Sequence, residues 1–166
     1  ELNKNAISSA KDIPSRYALV ELENIHSPAM VFEPIHRLIV ETDVDLLLKD
    51  IQTICADGGV SVPWINGEKR GHVTLGVADG ELTVGVLQDF LDQWLSDHPG
   101  SIDYIHDLDA VTAFAQKSDA IAFILPAMSK NELFPFVKSG RTLPRKTFSM
   151  GHGAEKRYYL EGRKIK

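Results

Sequence analysis

Apolar and polar residues alternate along "RYALVELE" (16–23), with Ala18, Val20 and Leu22 on one face and Glu21 and Glu23 on the other, the pattern of a half-buried strand. "NIHSPAM" reads as a turn, and "VFEPIHRLIVE" (31–41) as a second strand and the antiparallel hairpin partner of the first. Pro34 offers no N–H to a ladder, so it belongs at the start of that strand or on an edge. The period then changes. Asp43 is placed to cap a helix running to about residue 56, whose Val44, Leu47, Leu48, Ile51, Ile54 and Cys55 form one apolar stripe. "DGGVSVPWINGEKRG" (57–71), rich in Gly and Pro, predicts a loop, and "HVTLGV" (72–77) a short strand ending at the turn Asp79-Gly80.

A second helix over 86–97 buries Leu87, Phe90, Leu91, Trp94 and Leu95 and stops at Pro99-Gly100. "IDYIH" (102–106) reads as a strand, and Asp107 as the cap of a helix to about residue 117. "AIAFIL" (120–125) is a continuous apolar run, as a central strand covered on both faces requires. Ser129 and Glu132 have capping-box spacing for a helix ending near Gly140, which Pro135 should kink or shorten. "KRYYLEGRKI" (156–165) predicts a last strand. Helices alternating with strands after an initial hairpin predict an α/β-type (α+β) layered domain: one mixed β-sheet with an antiparallel hairpin, flanked by helices.

The 166 residues are the length of one domain with a substantial core, so 1–166 is read as a single domain. No apolar run approaches membrane-spanning length and the N-terminus lacks a signal-peptide pattern. A lone cysteine, Cys55, suits a reducing cytoplasm, and its place in the apolar stripe predicts a buried, inert thiol. The opening Glu1 and "ELNKNAISSA", which reads like the end of a helix, predict that the chain is the C-terminal part of a larger protein.

Charge is unevenly distributed. Residues 138–166 carry nine Lys or Arg against two acids, a balance of +7, whereas the remainder carries nine against twenty-one, or −12. Such asymmetry marks either a local anion site or a tail lying on the protein's own acidic surface. Within "LPRKTFSMGHG", Arg145 and Lys146 with nearby Arg141 bring charge, Thr147 and Ser149 bring hydroxyls spaced to project to one side, and Gly151 and Gly153 let backbone N–H groups approach a ligand. The candidate phosphate-binding residues are therefore Arg141, Arg145, Lys146, Thr147 and Ser149. The pattern is not a Walker loop, since neither its glycine-to-Gly-Lys frame nor its closing Ser/Thr is present.

Other candidates are weaker. The six histidines contain no H-x-x-x-H pair and Cys55 has no cysteine partner, so no protein-built metal site is expected, although Mg²⁺ carried by a nucleotide needs few protein ligands. His36 shares a face with Leu38 and Val40, which predicts a satisfied core histidine. Arg37 points the other way among Ile35 and Ile39, and needs either Glu21 or Glu23 across the hairpin or a bound anion. His106-Asp107 looks like half a catalytic dyad, but an Asp before a helix is ordinarily its cap.

"RYALVELENIHSPAMVFEPIHRLI", "LQDFLDQWL", "IDYIHDLDAV", "FILPAMSKNELFPFVKSGRTLPRKTFSMG" and "EKRYYLEGRKI" together resemble the C-terminal half of the bacterial domain of unknown function 1015 family, over nearly the whole chain from Arg16 onward. The resemblance implies a longer protein, with a Gly-Asp-Gly-Asn-His-Ser type motif, reminiscent of ParB-like phosphoryl-handling folds, in the half ahead of this region. It also implies ATP-dependent phosphorylation of free serine, with ATP and Mg²⁺ as cofactors of the full-length protein, and little activity in this chain without that half. The sequence departs from the family at His152, where relatives carry an acid after the equivalent of Ser149-Met150-Gly151, and at Pro135. His36, Arg37 and His152 are accessory site candidates. The partners expected are a small-molecule or nucleotide phosphate and the N-terminal half of the same protein, with no membrane.

Two other readings stand beside a phosphate-handling enzyme. One is a structural or ligand-binding subdomain without catalysis. The other is a nucleic-acid-binding module using Phe148, Tyr158 and Tyr159 for stacking, which the acidic body opposes.

Overall fold

The structure, a computed structural model, describes residues 22–151. The predicted strand 16–23 falls almost wholly outside the described residues, as do the predicted strand 156–165 and His152. Leu22 and Glu23 themselves lie outside any strand.

The segment read as one strand is two: β1 (Phe32–Pro34) and β2 (His36–Val40), broken at Ile35 immediately after Pro34. Asp43 caps α1 (Val44–Asp50), its side chain accepting from the Leu46 N–H at 3.0 Å. That helix is shorter than its apolar stripe predicts. Ile51–Ile54 tighten into a 3₁₀ turn, and Cys55 enters β3 (Cys55–Asn66), because pairing with β4 (Lys69–Leu75) captures the backbone that helix would otherwise use.

The predicted loop 57–71 is instead most of this long β3–β4 hairpin. Its glycines and proline serve the ladder. Cys55 and Val60 both lie opposite Leu75, so the residues between them form a bulge, with Gly58 at φ 76. A Cβ on Gly59 would lie 2.1 Å from the Leu75 carbonyl oxygen, an approach only glycine permits. Gly67, φ 58, opens the two-residue turn Gly67-Glu68. Pro63, opposite His72, still gives its carbonyl to the Ile124 N–H at 2.8 Å.

Five further elements lie close to expectation, α2 (Thr83–Asp97), β5 (Ser101–Ile105), α3 (Leu108–Phe114), β6 (Ile121–Phe123) and α4 (Lys130–Lys138), whereas β7 (Phe148–Met150) was not expected as a strand. Asp107 caps α3 through the Ala110 N–H at 2.6 Å. Ser129 and Glu132 form the predicted capping box of α4, a helix of nine residues that contains Pro135 and stops before Gly140, φ 82.

Five strands form one sheet in the order β4-β3-β6-β2-β5, and β1 pairs with β7 in a two-stranded sheet. Every described pairing is antiparallel. The α+β class is as expected, and helical crossovers do join strands of like direction. Those strands are interleaved rather than adjacent: β6 lies between β2 and β3, and β2 between β5 and β6. Alternation along β2 and β6 divides the core in two. Ile39, Ile121 and Phe123 face Leu47 of α1 and Leu87 and Leu91 of α2, while Leu38 and Ala122 face Val111 of α3. Among the described residues no helix is long and apolar enough to cross a membrane.

Candidate anion-binding site

Arg37 lies on the α2 side of the sheet and is fully buried. Its Nε donates to Gln88 Oε1 at 2.8 Å, Nη1 to the carbonyls of Ile35 (2.7 Å) and Lys146 (3.1 Å), and Nη2 to that of Arg145 (3.0 Å). The expected partner was Glu21, Glu23 or an anion. Glu21 lies outside the described residues, and Glu23 is replaced by a neutral amide and three carbonyls. The guanidinium therefore reaches the interior with its hydrogen bonds made and, among the described residues, no carboxylate touching it. Burial, partly opposed by Tyr104 and reinforced by Arg145, lowers its pKa to about 10, so it remains charged at neutral pH.

Gln88 extends the cluster. It is buried on α2, and its Nε2 donates to Asp92 Oδ1 at 2.8 Å and to Tyr104 Oη at 3.2 Å. The same Asp92 oxygen accepts from Arg145 in an ion pair whose side chains are 45 % and 57 % exposed. The guanidinium carbons of Arg37 and Arg145 lie 4.8 Å and 5.6 Å from the centre of the Tyr104 ring. Of the three cations Arg37, Arg145 and Lys146, only Arg145 is ion-paired among the described residues, with Asp92.

The five predicted tail residues do not converge on one point. Arg141 donates to the Gly80 carbonyl, with its guanidinium 5.8 Å from the Phe136 ring centre. Thr147 is buried and its hydroxyl donates to the Pro144 carbonyl at 2.6 Å, so that donor is already committed. Ser149 is buried on β7, opposite Glu33. Lys146 is exposed and has a left-handed backbone, φ 54. That conformation is costly for a side chain with a Cβ, and it is held where Arg37 grips the carbonyls of residues 145 and 146.

Two clefts divide four of these residues, Thr147 lining neither. The first, about 530 Å³, is lined by Arg141 and Arg145 together with Glu81, Asp89 and Asp92. The second, about 560 Å³, is lined by Lys146, Ser149, His106 and Tyr104 with apolar Ile35, Phe148 and Met150, and among the described residues no carboxylate lines it. An ammonium, an imidazole and a phenol are donors that fit phosphate oxygens. Among the described residues no three His, Cys, Asp or Glu side chains are grouped to hold a metal ion.

His36 is buried on the α3 face, where its Nδ1 accepts from the Leu125 N–H at 3.2 Å, which places the proton of the neutral ring on Nε2. Burial, then Arg37, lowers its pKa below the usual 6.5. The unfolded chain consequently binds a proton first on acidification. The stability this neutral histidine protects is present above pH 6.5 and is lost as pH falls from there towards the folded pKa. Replacing His36 by Gln should flatten the pH dependence of stability below 6.5, measured by urea denaturation between pH 7.5 and 5. An unchanged slope would locate the acid sensitivity elsewhere.

Gln88, Asp92 and Tyr104 are the residues that sequence reasoning missed. Gln88 alone carried a signal: a polar residue among Val84, Leu87 and Leu91 on the buried stripe of a helix.

No family model and no curated protein matches the chain. Among solved structures it is similar to a conserved hypothetical protein from Pyrococcus furiosus, at a TM-score of 0.56 and 18% identity, over 80% of this chain and 61% of that one. The chain thus spans less than two thirds of its structural neighbour, and at this identity the likeness shows the fold alone.

Proposed function

We propose that this chain binds the phosphate of a small molecule or nucleotide in the cleft of Lys146, Ser149, His106 and Tyr104, as the phosphate-contacting part of a small-molecule phosphotransferase. The observation that carries the reading is the buried Arg37. It holds Lys146 in a left-handed conformation at a cleft to which no described residue brings a carboxylate, and it gathers three cations of which, among the described residues, only Arg145 is ion-paired. An external dianion would balance that charge, and positioning with charge neutralisation is the main protein contribution to phosphoryl transfer. The resemblance to the domain of unknown function 1015 family points to ATP-dependent phosphorylation of free serine as the reaction, with Mg²⁺ arriving on the nucleotide.

The competing reading, a structural subdomain, draws on the internal partners of Arg141, Arg145 and Thr147. Calorimetric titration with inorganic phosphate, phosphoserine and ATP separates the two and ranks the phosphate sources. Lys146→Ala should weaken binding about tenfold, one charge-assisted contact in a partly solvated site, while leaving thermal unfolding unchanged. Affinity that is immeasurable in the parent chain, or equal in the variant, would favour the structural reading.

A further inference from the structure

We infer that Arg145 is a latch with two positions, parked on Asp92 when the phosphate cleft is empty and released onto the phosphate when it fills. The inference rests on the phosphate reading above and concerns the control of that same site. Arg145 lines the acidic cleft, whereas its neighbour Lys146 lines the one to which no described residue brings a carboxylate. Tyr104 belongs to the second cleft and also lies beneath the Arg145 guanidinium, so the side chain sits at the boundary between the two.

Three features make the move inexpensive. The Arg145 backbone is anchored, because Arg37 Nη2 holds its carbonyl at 3.0 Å, so only the side chain has to swing. Asp92 is not orphaned by the departure, since Gln88 Nε2 still donates to it at 2.8 Å. The pair itself is about half exposed, and such pairs hold by a factor of about five at most. A phosphate dianion offers the guanidinium two parallel hydrogen bonds and more charge than the carboxylate it leaves.

Asp92 therefore competes with phosphate for Arg145, and removing its charge should strengthen phosphate binding. Asp92→Asn keeps an oxygen to accept from Gln88 while releasing Arg145. At fixed ionic strength it should bind inorganic phosphate roughly two- to fivefold more tightly than the parent chain. The gain should vanish when Asp92→Asn is made in an Arg145→Ala background. Equal tightening with and without Arg145 would mean that Asp92 acts only by its general field, and the latch would be overturned. Binding that Lys146→Ala weakens but Asp92→Asn leaves unchanged would sink the latch and spare the phosphate site. No binding by either the parent chain or Asp92→Asn would remove both.

Discussion

Arg37→Met is expected to destabilise the fold on the order of 3 kcal/mol, lowering the thermal midpoint by about 6–12 °C. Methionine matches much of the length of the side chain and removes a buried charge, and the lowered arginine pKa shows that this charge is costly where it lies. Relief of that cost does not decide the sign. Four acceptors remain behind: the Gln88 amide oxygen and the carbonyls of Ile35, Arg145 and Lys146. Each buried acceptor left without a donor costs about 1–3 kcal/mol, although the two in the tail are only partly buried and can recruit water. Lysine should not rescue, because one ammonium cannot reproduce a planar fork that reaches α2, the Ile35 link before β2 and the tail together. Because two of the lost bonds secure residues 145 and 146, amide exchange in that segment should quicken before the rest of the sheet is affected. A variant as stable as its parent would show that these bonds contribute nothing net.

Gln88→Leu is the second large effect, expected at about 2 kcal/mol. Leucine fits the stripe between Val84 and Leu91, but it leaves Arg37 Nε buried without its acceptor and removes the donor shared by Asp92 and Tyr104. The informative measurement is the cycle with Arg37→Met by denaturant unfolding. Replacing both members removes donor and acceptor together, so the double variant should be more stable than the sum of the singles implies, by about 1–2 kcal/mol. Strict additivity would show the two residues to be independent, and would weaken the case for Arg37 as the organiser of the site.

The caps were legible residue by residue. Asp43, Asp107 and the Ser129–Glu132 box each act on a backbone N–H within three residues, so their partners are dictated by chain proximity. The apolar stripe of α2 and the continuous run of β6 were readable for the same reason, since period alone reports which faces are covered. The β3–β4 hairpin was not read. Gly58, Gly59 and Pro63 carry the composition of a loop, and only the strand opposite shows that the glycines form a bulge, left-handed at Gly58 and with no room for a Cβ at Gly59. Interleaving was hidden too, because alternating helices and strands do not say whether two parallel strands are neighbours or have a third between them.

For the site, sequence determined which residues have the chemistry: a guanidinium among apolar neighbours at Arg37, and a cationic, hydroxyl-bearing segment from Arg141 to Ser149. It also placed His36 correctly on the covered face with Leu38. Tertiary structure alone decided the partners. Gln88 is 51 positions from Arg37, and the Arg145 and Lys146 carbonyls are more than a hundred, distances over which local preference carries no information. Thr147, which by spacing should have joined Ser149 at an oxyanion, turns back to Pro144 once the tail is pinned as β7. A hydroxyl or guanidinium advertises only that it needs a partner. Which one it obtains depends on the groups that packing brings within 3 Å, and in this chain most of them come from the far side of the fold.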